Sequence, residues 1–267
     1  MGNETKTFPV LDRPEVLQLV FHPRPEWPAM PTVGEELRIP VEEGVSLGAR
    51  LYLQEGAMGT ILFFHGNGEI VADYEQMAQA YGRMGINFLP VDYRGYGSSD
   101  GRPSASALIR DCAAVFRFVQ DLRSKRNIPG PLLVMGRSLG SACALELADL
   151  FGSSLGGLIL ESGFAYTGPL LELLGLNLQR MGYSEERDGF GNLDKIRRFD
   201  KPTLIIHAEM DHIIPYREAE IMYEASPAAW KRLVQIRFAN HNDIMLRGLR
   251  EYLQAIEELC RAVAATG

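Results

Sequence analysis

The amino-acid sequence predicts an α/β domain built on a mostly parallel, eight-stranded sheet with helices on both faces. Three observations carry that prediction. Six short apolar runs lack the polar alternation of a half-exposed strand, as strands covered on both sides do: Thr60 to Phe64, Asn87 to Val91, Leu132 to Met135, Gly157 to Leu160, Thr203 to Ile206 and Leu233 to Ile236. Segments of helical length follow them, at about 70–85, 105–126, 139–152 and 215–226, with a last one at about 243–264. Two alternating runs, Leu37 to Val41 and Leu47 to Leu53, flank Glu42-Glu43-Gly44, which is the pattern of an antiparallel hairpin opening the sheet.

Taken in order, residues 1–33 read as an extended N-terminal arm, because Pro23, Pro25, Pro28 and Pro31 each fix φ and remove a backbone donor. The domain proper occupies 34–267. Pro90 is out of place in the second apolar run, since proline cannot donate to a neighbouring strand. Between Gly163 and Asp200 the alternation of strand and helix breaks. A leucine-rich stretch, Leu170 to Leu178, and a polar one with Gly189 and Gly191 predict a small helical cap, 164–200, over one end of the sheet. The final segment spaces Leu246, Leu249, Leu253, Ile256, Cys260 and Val263 by threes and fours, which puts all six on one helix face.

Composition narrows the function classes. With 267 residues, 46% hydrophobic and 23% charged, the chain can bury a sizeable core. A net charge of -7 argues against a nucleic-acid partner, which a concentrated basic face would attract. The pairs Lys125-Arg126 and Arg197-Arg198 read as solvated surface. Three cysteines, with no CxxC spacing, argue against a disulfide framework and against a zinc site, and fit a cytoplasmic location; Cys112 falls on an apolar stripe as a core residue. No apolar run approaches the roughly 20 residues of a membrane span, so no stable membrane insertion is expected. Lys6 stands where a myristoylation signal has Ser or Thr.

The chemistry is concentrated in Gly136-Arg137-Ser138-Leu139-Gly140, which follows an apolar run and precedes a helix rich in small residues. Such a turn exposes a serine hydroxyl at the rim of a sheet. A hydroxyl is a poor nucleophile at neutral pH, so a base must take its proton and an acid must orient that base. Asp211, just past the run Leu204 to His207, and His241, just past Leu233 to Phe238, supply them in the order serine, acid, histidine; Glu209 is a rival acid by proximity. A tetrahedral intermediate needs preorganised donors, and the amides of Leu139 and of Asn67, in His65-Gly66-Asn67-Gly68, are the candidates.

His65-Gly66-Asn67, Asp92-Tyr93-Arg94-Gly95-Tyr96-Gly97, the serine turn and Asn240-His241-Asn242-Asp243 together resemble the α/β-hydrolase superfamily. Over about 34–264 the likeness is more narrowly to its Bem46-like, ABHD13/ABHD17-like branch. The resemblance implies a serine hydrolase of carboxylesterase or thioesterase type, with Ser138, Asp211 and His241 as its triad, acting on a small-molecule ester or thioester without metal or organic cofactor. Peptidase activity and a non-catalytic binding module of the same fold are the alternatives. Leu170 and Leu174 either line the acyl site or pack the cap onto the core. Arg137 reads as a member of a buried ion pair in preference to an anion-binding group. Asp92 to Gly97 reads as a structural loop, because no Walker lysine follows it.

Overall fold

A computed structural model describes residues 6–26 and 32–266. Eight strands, β1 (Glu35–Glu42), β2 (Val45–Leu51), β3 (Gly59–Phe64), β4 (Ile86–Val91), β5 (Leu132–Arg137), β6 (Gly157–Glu161), β7 (Thr203–Ala208) and β8 (Lys231–Ile236), form one sheet in the order β1-β2-β4-β3-β5-β6-β7-β8. The first pairing is an antiparallel hairpin, Leu37 opposite Ala49, and β2 meets β4 antiparallel. From β4 onward every pairing is parallel. Strands β3 to β7 are buried residue by residue, which is why they lack polar alternation.

Pro90 is accommodated at the one seam that can spare it. Phe88 donates its N–H to the oxygen of Tyr52, just past β2, and Asp92 to Gly48 O, whereas Pro90, midway, has no N–H to give. One rung is lost, and β2 touches β4 only through isolated pairs, while the Pro90 side opposite Phe63 keeps its parallel register on β3.

The helices cover both faces. On one side lie α3 (Ala105–Lys125), α4 (Gly140–Phe151) and α9 (Tyr216–Ala225); on the other lie α2 (Glu75–Arg83) and α10 (Ile244–Thr266). Helix α4 is apolar nearly all round and correspondingly buried, so the segment behind the serine turn is among the least exposed of the molecule. Between β6 and β7, four short helices occupy the expected cap region: α5 (Gly168–Leu173), α6 (Leu178–Met181), α7 (Glu185–Asp188) and α8 (Asn192–Ile196).

Two expectations are corrected. The N-terminal segment is not an extended arm over its described part: α1 (Pro14–Val20) is a helix, with Phe8, Leu11, Val16 and Phe21 buried in the main core. Proline at its first turn fixes φ where no N–H is needed, and Glu15 suits the positive end of the helix. Pro28 and Pro31 lie outside the described residues. The six-residue stripe of α10 is also broken, because Gly248 leaves helical geometry at φ −136° and ψ 31°. Leu246 is 83% exposed and Leu249 47%, and the face that packs is Ile244, Tyr252, Ala255, Ile256, Leu259, Cys260 and Val263. A Cβ on Gly248 would stand 2.5 Å from Ile236 Cγ2, so the chain bends where its backbone presses on β8.

The paired basic residues are surface charge, with Lys125 on Asp121, Arg126 on Glu35, Arg197 on Asp194 and Arg198 on Asp149. All three cysteines are buried and unpaired. Among the described residues, no helix is long and apolar enough to cross a membrane, and no group of three or more His, Cys, Asp or Glu could hold a metal ion.

Candidate active site

Ser138 follows the last residue of β5 and sits in the left-handed region at φ 49°, a conformation costing a non-glycine residue on the order of 1–3 kcal/mol. Its surroundings impose that bend. A Cβ at Gly136 would lie 2.2 Å from Gly140 O, and one at Gly140 would lie 2.1 Å from Phe64 O, so only glycine lets α4 come so close to β3 and β5. The Ser138 N–H donates to Glu161 O at 2.8 Å, and the Ser141 hydroxyl donates to Ser138 O at 2.7 Å.

The two downstream residues arrive from the ends of β7 and β8. His241 Nε2 lies 3.0 Å from Ser138 Oγ, and His241 Nδ1 lies 2.7 Å from Asp211 Oδ2. Asp211 Oδ1 accepts from the N–H groups of Ile213 and Ile214 at 3.0 and 2.8 Å, which fixes the carboxylate plane. Burial pushes the Asp211 carboxyl up, but the hydrogen bond and charge of His241 and the Ile214 N–H outweigh it, leaving the group below its ordinary value of 3.8. His207, 3.5 Å from the same carboxylate, is held below 6.5 chiefly by burial and donates from Nε2 to Ile214 O. The rival acid is elsewhere: Glu209 accepts from the Phe238 N–H at 2.7 Å.

The loop carrying Asn67 is braced from below by the Asp92 to Gly97 segment. Tyr93 donates its hydroxyl hydrogen to His65 O, and Tyr96 donates to Asn67 Oδ1 at 2.7 Å, an oxygen that also accepts from the His22 N–H. Arg94 of that segment is pinned by Asp111 and Glu42. The segment is therefore a support. With the Asn67 side chain so occupied, its backbone N–H is left over. Among the described residues neither that N–H nor the N–H of Leu139 donates to another main-chain group.

Ser138 opens onto an apolar pocket of about 130 Å³ whose walls include Asn67, Leu139, Phe164, Leu170, Leu174 and Phe190. Leu170 and Leu174 thus both reach the site. Sequence reasoning missed Leu11 and Val20, which close the same pocket from the N-terminal segment. The readable signal was the helix start Arg13-Pro14-Glu15, overshadowed by the prolines that follow.

A larger cavity, about 310 Å³, lies behind His241 between α2 and α10 and is bordered by Glu69, Tyr74, Arg137, Glu161 and Tyr252. Here Arg137 makes the ion pairs its sequence context suggested, Nε to Glu69 Oε1 at 2.8 Å and Nη1 to Glu161 Oε1 at 2.9 Å.

Sheet order and the sharp serine turn are those of the α/β-hydrolase class. The family model described as "Serine aminopeptidase, S33" matches residues 55–181. Alpha/beta hydrolase domain-containing protein 17C of Xenopus tropicalis is 32% identical over 236 residues, covering 84% of this chain and 68% of the frog protein. The chain belongs to the α/β-hydrolase family, in the branch of domain-containing protein 17. Among solved structures, the Pyrococcus furiosus esterase Pf2001 superposes with a TM-score of 0.72 at 16% identity, covering 90% of this chain and 98% of that one. A soluble variant of monoglyceride lipase from Saccharomyces cerevisiae, in complex with a substrate analog, gives 0.66 at 18% identity, over 89% and 98%. At such identities the likeness is one of fold.

Proposed function

We propose that this hydrolase cleaves an ester or thioester through an acyl-enzyme on Ser138. The observation that carries the reading is the hydrogen-bonded chain from Ser138 Oγ through His241 to Asp211, at 3.0 and 2.7 Å. His241 Nε2 takes the hydroxyl proton as Ser138 attacks the carbonyl carbon, and Asp211 keeps Nδ1 protonated and steadies the imidazolium. The amides of Leu139 and Asn67 receive the oxyanion. His241 returns the proton to the leaving alcohol or thiol; a water, deprotonated by the same imidazole, then attacks the acyl carbon and frees Ser138.

The pocket wall supports an acyl substrate over a free amino-terminal peptide. Among the described residues, none that lines it carries a carboxylate that could hold an ammonium group, whereas Leu11, Leu170, Leu174 and Phe190 suit a hydrocarbon chain. The test is labelling with a fluorophosphonate probe alongside hydrolysis of p-nitrophenyl esters and acyl thioesters. Stoichiometric labelling and turnover are expected for the wild type, and both vanish in Ser138→Ala. Turnover that survives that substitution removes the reading.

A further inference from the structure

We propose that Arg137 is a positioning residue, which fastens the serine turn, the oxyanion loop and the histidine loop into one unit and thereby sets the rate of the chemical step. This rests on the acyl-enzyme reading of Ser138 and goes beyond it by assigning a part to a side chain outside the substrate pocket.

The three nitrogens of the guanidinium each reach a different segment. Nε binds Glu69, whose other carboxylate oxygen accepts from the Gly66 N–H at 2.6 Å, in the turn that carries Asn67, and from the Tyr74 hydroxyl. Nη1 binds Glu161, the end of β6, whose main-chain oxygen receives the Ser138 N–H and whose Oε2 accepts from the Tyr252 hydroxyl at 2.6 Å. Nη2 donates to the main-chain oxygen of His241 at 2.9 Å. Arg137 itself immediately precedes Ser138. One planar group therefore touches the loop of the base, a carboxylate clamped to the oxyanion loop, and the strand end that receives the nucleophile's N–H.

Chemistry favours positioning over stability as the purpose. Arg137 is 7% exposed, and a buried ion pair is often no more stabilising than an apolar cluster of the same volume. What a guanidinium adds is a rigid fork with fixed donor directions, which an ammonium or a hydrocarbon lacks. A displacement of about 1 Å in a reacting group can cost on the order of 10²-fold in rate. Arg137 does not line the pocket that Ser138 opens onto, so substrate affinity should not depend on it.

The 310 Å³ cavity beside Arg137 makes a specific test possible, because it gives a small cation room to reach the position of the lost side chain. In Arg137→Ala, kcat should fall about 10- to 100-fold with KM within about threefold of wild type, and fluorophosphonate labelling of Ser138 should slow in parallel. Millimolar methylguanidinium should restore kcat about tenfold or more, while Arg137→Lys, which keeps the charge and loses the fork, stays impaired. If Arg137→Ala does not fold, Glu69→Gln carries the test, with a smaller loss confined to kcat. Full kcat per labelled site in these variants overturns the assignment, as does a loss in Arg137→Ala that methylguanidinium leaves untouched. Ser138→Ala run in the same assay separates the two ideas: activity persisting there sinks the acyl-enzyme reading, whereas a dead Ser138→Ala beside fully active Arg137 variants sinks only the positioning role.

Discussion

At Ser138 the left-handed backbone is held by the absence of two methyl groups, at positions 136 and 140. Gly140→Ala drives a Cβ to 2.1 Å from the main-chain oxygen of Phe64, and neither the methyl, fixed to the backbone, nor the carbonyl can rotate away. We expect it to lower unfolding stability by at least about 2 kcal/mol in urea titration and to abolish labelling of Ser138. Gly44→Ala, at φ 71° with open space around it, should cost only about 1 kcal/mol and leave labelling intact. Replacing the orienting acid tests a different link. Asp211→Asn should lower kcat by about 10⁴-fold, the scale found for the corresponding change in serine proteases, while Glu209→Gln should leave kcat within about twofold; a large loss in Glu209→Gln beside a nearly unaffected Asp211→Asn would move the acid to residue 209. That Ser138, Asp211 and His241 meet was legible because each sits just past a recognisable strand, and the three are hydrogen-bonded in series. Glu69, the second partner of Arg137, was not, because 68 positions separate the two and nothing local distinguishes a carboxylate that folds inward from one that stays in water.

Among the elements, the strands and long helices were legible from period alone, and the misreadings came where period carries no information. Helix α1 is only 7 residues long, too short for a stripe to emerge, and the burial of the segment that leads into it is decided by tertiary contacts such as Phe8 against Phe190. In α10 a count of spacings assumes an unbroken helix, and the departure at Gly248 turns Leu246 away from the core. The α1 contacts have a functional consequence that can be measured. Val20 forms part of the wall of the pocket beside Ser138, so, on the acyl-enzyme proposal, Val20→Trp should shorten the usable chain: kcat/KM for an octanoyl ester should fall at least about fivefold relative to an acetyl ester. An unchanged chain-length profile would mean that the acyl group lies elsewhere.

For the molecule as a whole, two buried groups contribute to how stability varies with pH. The folded protein holds His207 below 6.5, so between 6.5 and that lowered value the unfolded chain binds a proton that the folded one refuses. Its contribution is complete above pH 6.5 and is lost as pH falls through the folded value. Asp211, held below 3.8, acts in the same direction in a lower window, its contribution complete above 3.8 and lost beneath it. The urea midpoint should therefore decline between pH 7.5 and 5.5 in the wild type and decline less in His207→Gln, which keeps a donor for Ile214 O; identical slopes would exclude His207 as the source. The first and last described segments also stand in unlike places. Lys6 Nζ donates to Gly189 O, next to Phe190 in the wall of the pocket beside Ser138, whereas Val263 packs on Gly156 and Gly157 at the opposite rim of the sheet. A bulky group attached to Lys6 would therefore stand beside the pocket that Ser138 opens onto, whereas one attached at Val263 would stand across the sheet from it.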